Sequence, residues 1–141
     1  MSTPRIFTVR EAEATLPLVR RVVNDLLAAY PRWREHVARY EVLTGPLKSS
    51  DQEPEELRLT RESVTREAER INSFMQELER IGCVFKGFDA GLVDFYALKD
   101  DRLVFLCWKL DEQHITHWHE VDAGFAGRQP IDSDMFSETV V

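Results

Sequence analysis

Apolar side chains at Leu16, Val19, Val23, Leu26, Tyr30, Trp33, Val37 and Tyr40 recur in steps of three and four, and this stripe constrains the chain more than any other feature. Only a long helix lying lengthwise on a partner buries such a seam. The partner follows in the same chain, because Leu57, Val64, Ala68, Ile71, Met75 and Leu78 repeat the spacing. Between the two stripes, Thr44 to Pro54 is rich in turn formers and polar residues. The seams are therefore expected to meet as an antiparallel helical hairpin over 8–82, with coiled-coil character.

Thr8, with Glu11 three positions on, resembles a capping box for a short entry turn, and Thr15-Leu16-Pro17 places a proline in the first turn of the long helix. Pro31 falls inside the stripe and removes the hydrogen bond to the Leu27 carbonyl, which predicts a kink near Pro31 or a break into two helices. Glu53, Glu55 and Glu56 open the second helix and Arg80 closes it, as the helix dipole favours; Gly82 suits a left-handed cap. Arg58, Glu62, Arg66, Glu69, Arg70, Glu77 and Glu79 read as a solvated face, and Tyr30 and Trp33 as part of the seam.

After Gly82 the apolar period changes to two, the mark of strands. Cys83 to Lys86, Leu92 to Lys99 and Arg102 to Leu110 are the candidate strands, and Asp100-Asp101 is a two-residue turn. That turn sets Leu98 opposite Leu103, Tyr96 opposite Phe105, Asp94 opposite Cys107 and Leu92 opposite Lys109. One face (Val93, Phe95, Ala97, Val104, Leu106, Trp108, Leu110) is apolar and should pack on the helices. The other mixes Asp94, Tyr96, Cys107 and Lys109 with Leu92, Leu98, Leu103 and Phe105. It is too apolar to lie bare, so either the C-terminal segment or a second copy in a homodimer covers it. The fold class is α+β: a helical hairpin, kinked near Pro31, on an antiparallel sheet of two to four strands. It forms one domain over 1–131, with a helical hairpin over 8–82, a β-hairpin and loop over 83–131, and a flexible tail over 132–141.

Composition narrows the function. With 18 basic against 25 acidic residues the net charge is −7, which argues against a nucleic-acid partner. No apolar run approaches the length of a membrane span and the first residues lack an apolar leader core, so a cytoplasmic protein is expected. Cys83 and Cys107 form no C-x-x-C pair and read as buried thiols. No cofactor motif is present, and the serines are dispersed, so no nucleophile is evident; Cys107 would need a histidine or lysine such as His119 or Lys109 beside it.

Most of the remaining chemistry lies between His114 and Pro130. If Ile115 to Val121 is a strand, His117 and His119 point to one face and His114 to the other; if it is helical, His114 pairs with His117 and His119 swings away. An irregular loop would gather all three with Glu120 or Asp122 into a site for zinc, iron or nickel, such as that of a metal-dependent hydrolase. Satisfied structural or surface histidines are the competing account, with His119 the best candidate for a buried, hydrogen-bonded ring. Gly124-Phe-Ala-Gly127-Arg128 suits either a backbone concavity for a small anion, with Arg128 as its fork, or a tight turn in which Arg128 pairs with a carboxylate of the same domain, such as Asp94 or Asp122.

Phe7-Thr8, Glu11-Ala12, Leu16-Pro17, Gly82-Cys83, Gly91-Leu-Val-Asp-Phe95, Cys107-Trp108, Trp118-His119, Gly124-Phe125 and Gly127-Arg-Gln-Pro130 together resemble an uncharacterised prokaryotic family, domain of unknown function 2203. The resemblance runs from Phe7 to Ile131 and implies no activity. It does favour Asp94, His119, Gly124 and Arg128, which match the pattern, over His114 and His117, which do not. The expectation is a non-catalytic binding or interaction module, homodimeric, with a polar pocket around Asp94, His119 and Arg128 flanked by Gly124 and Gly127, open to a protein partner or a small anion. The alternative is the metal protein built on His114, His117 and His119.

Overall fold

The computed structural model describes residues 4–132 and Phe136. Two helices, α1 (Val9–Thr44) and α2 (Glu55–Ile81), precede five strands: β1 (Val84–Gly87), β2 (Leu92–Lys99), β3 (Arg102–Lys109), β4 (His117–Glu120) and β5 (Gln129–Pro130). The strands form one antiparallel meander in the order β1-β2-β3-β4-β5. The sheet thus has five strands where two to four were expected, because two short C-terminal segments, β4 and β5, extend it beyond the hairpin.

The start of α1 differs from expectation for a physical reason. Thr8 and Glu11 form a complete capping box, Thr8 Oγ1 accepting the Glu11 N–H at 3.0 Å and Glu11 Oε1 the Thr8 N–H at 2.9 Å. The helix begins there as a single 36-residue element, about 54 Å long at 1.5 Å per residue. Pro17 and Pro31 both lie inside it, so there is no separate entry turn and no break at Pro31. Proline's lost hydrogen bond is local, whereas the stripe of Leu16, Val19, Val23 and Leu26 is 3% exposed or less on either side of Pro17, and that burial holds the helix through it. α2 ends as expected at Gly82, φ +104°, its N–H returning to Leu78 O at 3.1 Å.

The hairpin register is the expected one, with Leu92 opposite Lys109, Asp94 opposite Cys107, Tyr96 opposite Phe105 and Leu98 opposite Leu103. Asp100 and Asp101 both adopt positive φ, 52° and 63°, the type I′ geometry whose twist matches the flanking strands. Val93, Phe95, Ala97, Val104, Leu106 and Trp108 are all buried against the helices, joined by Trp118 from β4. Along α1 full burial ends at Ala29; Tyr30, Trp33, Val37 and Tyr40 are half-buried, with Tyr30 stacked on Phe88 at 4.0 Å. The expected flexible tail over 132–141 lies almost wholly outside the described residues; Phe136 meets Trp118 edge-on at 6.3 Å.

Gly91 and Gly124 both hold left-handed φ, +64° and +68°, but a Cβ on Gly91 would sit 2.9 Å from Val23 Cγ1 and 3.0 Å from Leu110 Cβ, while one on Gly124 meets nothing within 4 Å. Gly124→Ala is expected to cost about 2–3 kcal/mol from backbone strain alone, because φ +68° with ψ −170° is a region essentially restricted to glycine. Gly91→Ala combines positive φ with overpacking between α1 and the sheet and should cost at least about 3 kcal/mol. Urea unfolding measures both losses, and a Gly91→Ala loss of only about 1 kcal/mol would remove the packing contribution.

Candidate functional site

The outer face of the sheet, turned away from the helices, carries a buried polar group. Asp94 on β2 lies opposite Cys107 on β3, and His119 on β4 lies opposite Phe105, one pair along. Period-two alternation puts all these side chains on one face, so the His119 ring reaches diagonally over β3 to Asp94. Its Nε2 stands 3.2 Å from Asp94 Oδ1 and 3.1 Å from Oδ2, with the side chains 3% and 4% exposed.

His119 Nδ1 lies 2.8 Å from the Glu120 carbonyl. A carbonyl only accepts, so Nδ1 carries the hydrogen and donates it. An imidazole neutral in that tautomer has a bare Nε2, which would face two carboxylate oxygens without a hydrogen bond. One proton is therefore held between Nε2 and Asp94. Burial drives Asp94 above the ordinary carboxylate range; the His119 charge and hydrogen bond, and Lys86 on β1, oppose it.

Cys107 completes the group: a ligand atom from each of Asp94, Cys107 and His119 lies within 4.8 Å of the others, and all three residues are buried. Burial, reinforced by the Asp94 carboxylate, pushes the Cys107 thiol up to about 12 against the opposing pull of Arg128. Burial alone pushes Cys83 to about 12. Neither cysteine is a poised thiolate, and Cys107, although His119 and Arg128 stand near it, is not an activated nucleophile. Alkylation of the native protein at about pH 8 should run at least about a hundredfold slower than for an ordinary cysteine, both thiols reacting on unfolding. Rapid native labelling of Cys107 would contradict this assignment.

These groups form the floor of a cleft of about 240 Å³, walled by Leu92, Val121 and Phe125, with Gly124 and Lys86 also lining it. Lys86 is exposed and its Nζ lies 5.1 Å over the Phe105 ring. The described part of the C-terminal segment thus folds along the mixed face, one of the two expected ways of covering it.

Arg128 does not join Asp94 and His119 directly. Its Nη2 donates to Glu112 Oε1 at 2.7 Å and to the Cys107 carbonyl at 3.1 Å, and its Cζ lies 4.9 Å from the Phe125 ring centroid. Of the two readings of the glycine-arginine segment, the geometry matches the tight turn: the Gly127 and Arg128 N–H groups close back on Gly124 O and Phe125 O at 3.1 Å each. The carboxylate is Glu112, however, and not Asp94 or Asp122. Glu112 was missed in the sequence because it sits in a loop and its partners come from elsewhere; its one local signal is the return of its carboxylate to the Lys109 N–H, three residues back, at 3.0 Å.

The histidine cluster does not assemble. Among the described residues the one such group of potential ligands is Asp94, Cys107 and His119. His114 is exposed beside Glu13. His117 shares the outer face with His119, as a strand requires, yet its Nδ1 meets Thr116 Oγ1 at 2.8 Å and lies 3.9 Å from Glu112. The Glu120 carboxylate turns to Arg102, which holds it with bonds of 2.8 and 2.7 Å, so Glu120 serves His119 through its carbonyl only. Asp122 is exposed in the turn beyond β4. Strand alternation and these separate partners are what disperse the set.

No helix among the described residues is long and apolar enough to cross a membrane. Comparison with curated proteins and with solved structures returns no match. The model of the uncharacterized conserved protein family DUF2203 matches residues 5–131, which include every residue of the cleft, and the chain belongs to that family.

Proposed function

We propose that this protein is a small cytoplasmic binding protein whose ligand site is the cleft over Asp94, Cys107 and His119, and that it performs no covalent chemistry on its ligand. The observation that carries this reading is the Asp94–His119 pair. Both side chains are under 5% exposed at the foot of a cleft. Burying an ionisable pair costs desolvation that an apolar pair of the same shape avoids, so its presence there favours a role in recognition over one in stability. The apolar walls with few polar groups suit a small molecule, and Lys86 favours an anionic one. Cys107, the nucleophile lining the cleft, is held as a thiol, and the free thiols suit a reducing compartment.

Fragment screening by protein NMR tests the proposal. Hits should shift His119, Val121 and Phe125 together and disappear in Val121→Trp, a change at a half-exposed wall position that fills the cleft without entering the core. A library that leaves those resonances unmoved at millimolar concentration would count decisively against a ligand site.

Homodimerisation is a second reading, favoured by exposed apolar groups: Leu103 on the outer face of the sheet, and Val121 and Phe125 at the cleft, are 37%, 49% and 45% exposed. Sedimentation equilibrium at NMR concentrations should show a dimer that Leu103→Glu dissociates. A wild-type monomer would end this reading.

A further inference from the structure

We infer that the floor of the cleft is a divalent-metal site, best suited to zinc, in which the Asp94 carboxylate, Cys107 Sγ and His119 Nε2 are the protein ligands and the fourth position opens into the cleft. This rests on the reading of the cleft as a binding site and names what binds at its foot.

The donors come from three adjacent strands and are 1–3% exposed as residues, so they are carried on rigid elements rather than loops. They lie within 4.8 Å of one another. Zinc bond lengths of about 2.0 Å to nitrogen and oxygen and about 2.3 Å to sulfur place tetrahedral ligands about 3.3–3.6 Å apart, so no pair has to close by more than about 1.5 Å.

The Asp94–His119 contact is already close to the length of a ligand edge. A charge-assisted N–H···O bond is typically about 2.7–2.9 Å long and aimed at one oxygen. Here Nε2 stands 3.2 and 3.1 Å from the two oxygens, favouring neither. The other ring nitrogen donates to the Glu120 carbonyl, the arrangement that fixes the tautomer and aims Nε2 of a metal-bound histidine.

Charge and donor type agree. A dication with one carboxylate and one thiolate is neutral, which suits a buried position. A mixed sulfur, nitrogen and oxygen set selects zinc or a neighbouring transition metal over magnesium or calcium. The cations facing the group are Lys86, exposed to solvent, and Arg128, whose charge Glu112 matches at 2.7 Å. Arg128, which also interacts with the Cys107 sulfur, would stabilise a bound thiolate. Loading is an exchange: the ion replaces the Cys107 thiol proton and the proton shared by Asp94 and His119, so two protons leave per ion.

Cobalt(II) added to the full chain, after dialysis against a chelator, tests the inference. The wild type should give a thiolate-to-cobalt charge-transfer band with tetrahedral visible bands, saturating at one equivalent and abolished by zinc, with two protons released in weakly buffered solution. Cys107→Ser should lose the charge-transfer band, and His119→Gln should weaken binding by at least about tenfold. His114→Ala, at an exposed position outside the cleft, should keep the spectrum. Folding of the variants is checked by their NMR spectra, and the wild-type spectrum decides the matter without them. Absence of the band in the wild type, or its persistence in Cys107→Ser, overturns the metal site. If fragments still shift Val121 and Phe125 in that case, the cleft reading survives and the metal inference alone falls; if neither metal nor fragments bind, both fall.

Discussion

His119→Ala is expected to lose about 3–5 kcal/mol of stability at neutral pH, and the loss should grow as the pH rises. Removing the ring leaves the Asp94 carboxyl, 4% exposed, with neither the charge nor the hydrogen bond that offset its burial. Its pKa in the folded variant then stands further above that of the unfolded chain, about 3.9. Between those two values the folded state binds more protons than the unfolded state, so stability is fully present below the unfolded value and declines as pH climbs toward the folded one. The slope approaches about 1.4 kcal/mol per pH unit within that window. Urea unfolding at about pH 5 and pH 8 reads both effects, and a loss of the same size at both pH values would refute the account. Asp94→Leu combined with His119→Leu should recover most of the stability, because an apolar pair of similar volume carries no desolvation cost. A double variant as unstable as His119→Ala would mean that the pair holds the sheet together, which would weaken the case for recognition.

What was legible in the sequence divides by the range of the interactions involved. The β2–β3 register could be read because a two-residue Asp100–Asp101 turn and strict alternation determine it locally. The apolar face from Val93 to Trp108 followed from the same alternation, and the Gly82 cap from glycine's tolerance of φ +104°. Helix continuity through Pro17 was not legible, since it depends on how much apolar surface the flanking turns bury, and at Pro31 the helix runs on although the residues beyond Ala29 are only half-buried. β4 and β5, of four and two residues, carry too little periodicity to be recognised without the strands they pair with. Within the site, Asp94 and His119 were brought together by the residues that match the family pattern, and strand parity sets both on the mixed face. Cys107 was weighed as a nucleophile, and its place beside them follows from the same register. Arg128 was assigned to the same pocket but turns to Glu112, a loop residue whose position only the folded return of the segment from 110 to 128 establishes.

Glu112 accordingly carries the other large expected effect: Glu112→Ala should cost about 3 kcal/mol, although the residue lies outside every helix and strand. Its side chain is 16% exposed and its Oε1 serves both Arg128 Nη2 at 2.7 Å and the Lys109 N–H at 3.0 Å. Truncation leaves that N–H without its acceptor and a guanidinium, 11% exposed, with only the Cys107 carbonyl; Arg128 Nε already has no hydrogen-bond partner. An uncompensated buried charge is the costly outcome of breaking such a pair. Glu112→Gln keeps an oxygen for the Lys109 N–H but loses the charge opposite Arg128, so it should fall between wild type and alanine. The consequence reaches the cleft because Phe125, one of its walls, rests on the Arg128 guanidinium at 4.9 Å. Urea unfolding should rank the three proteins, and the Phe125 ring resonances should broaden or shift in Glu112→Ala while those of Phe95, in the core on the far side of the sheet, do not. Unchanged Phe125 resonances would mean that the wall stands without the ion pair. If they move, the cleft is shaped by a part-buried charge pair anchored to the end of β3 and not by apolar packing alone.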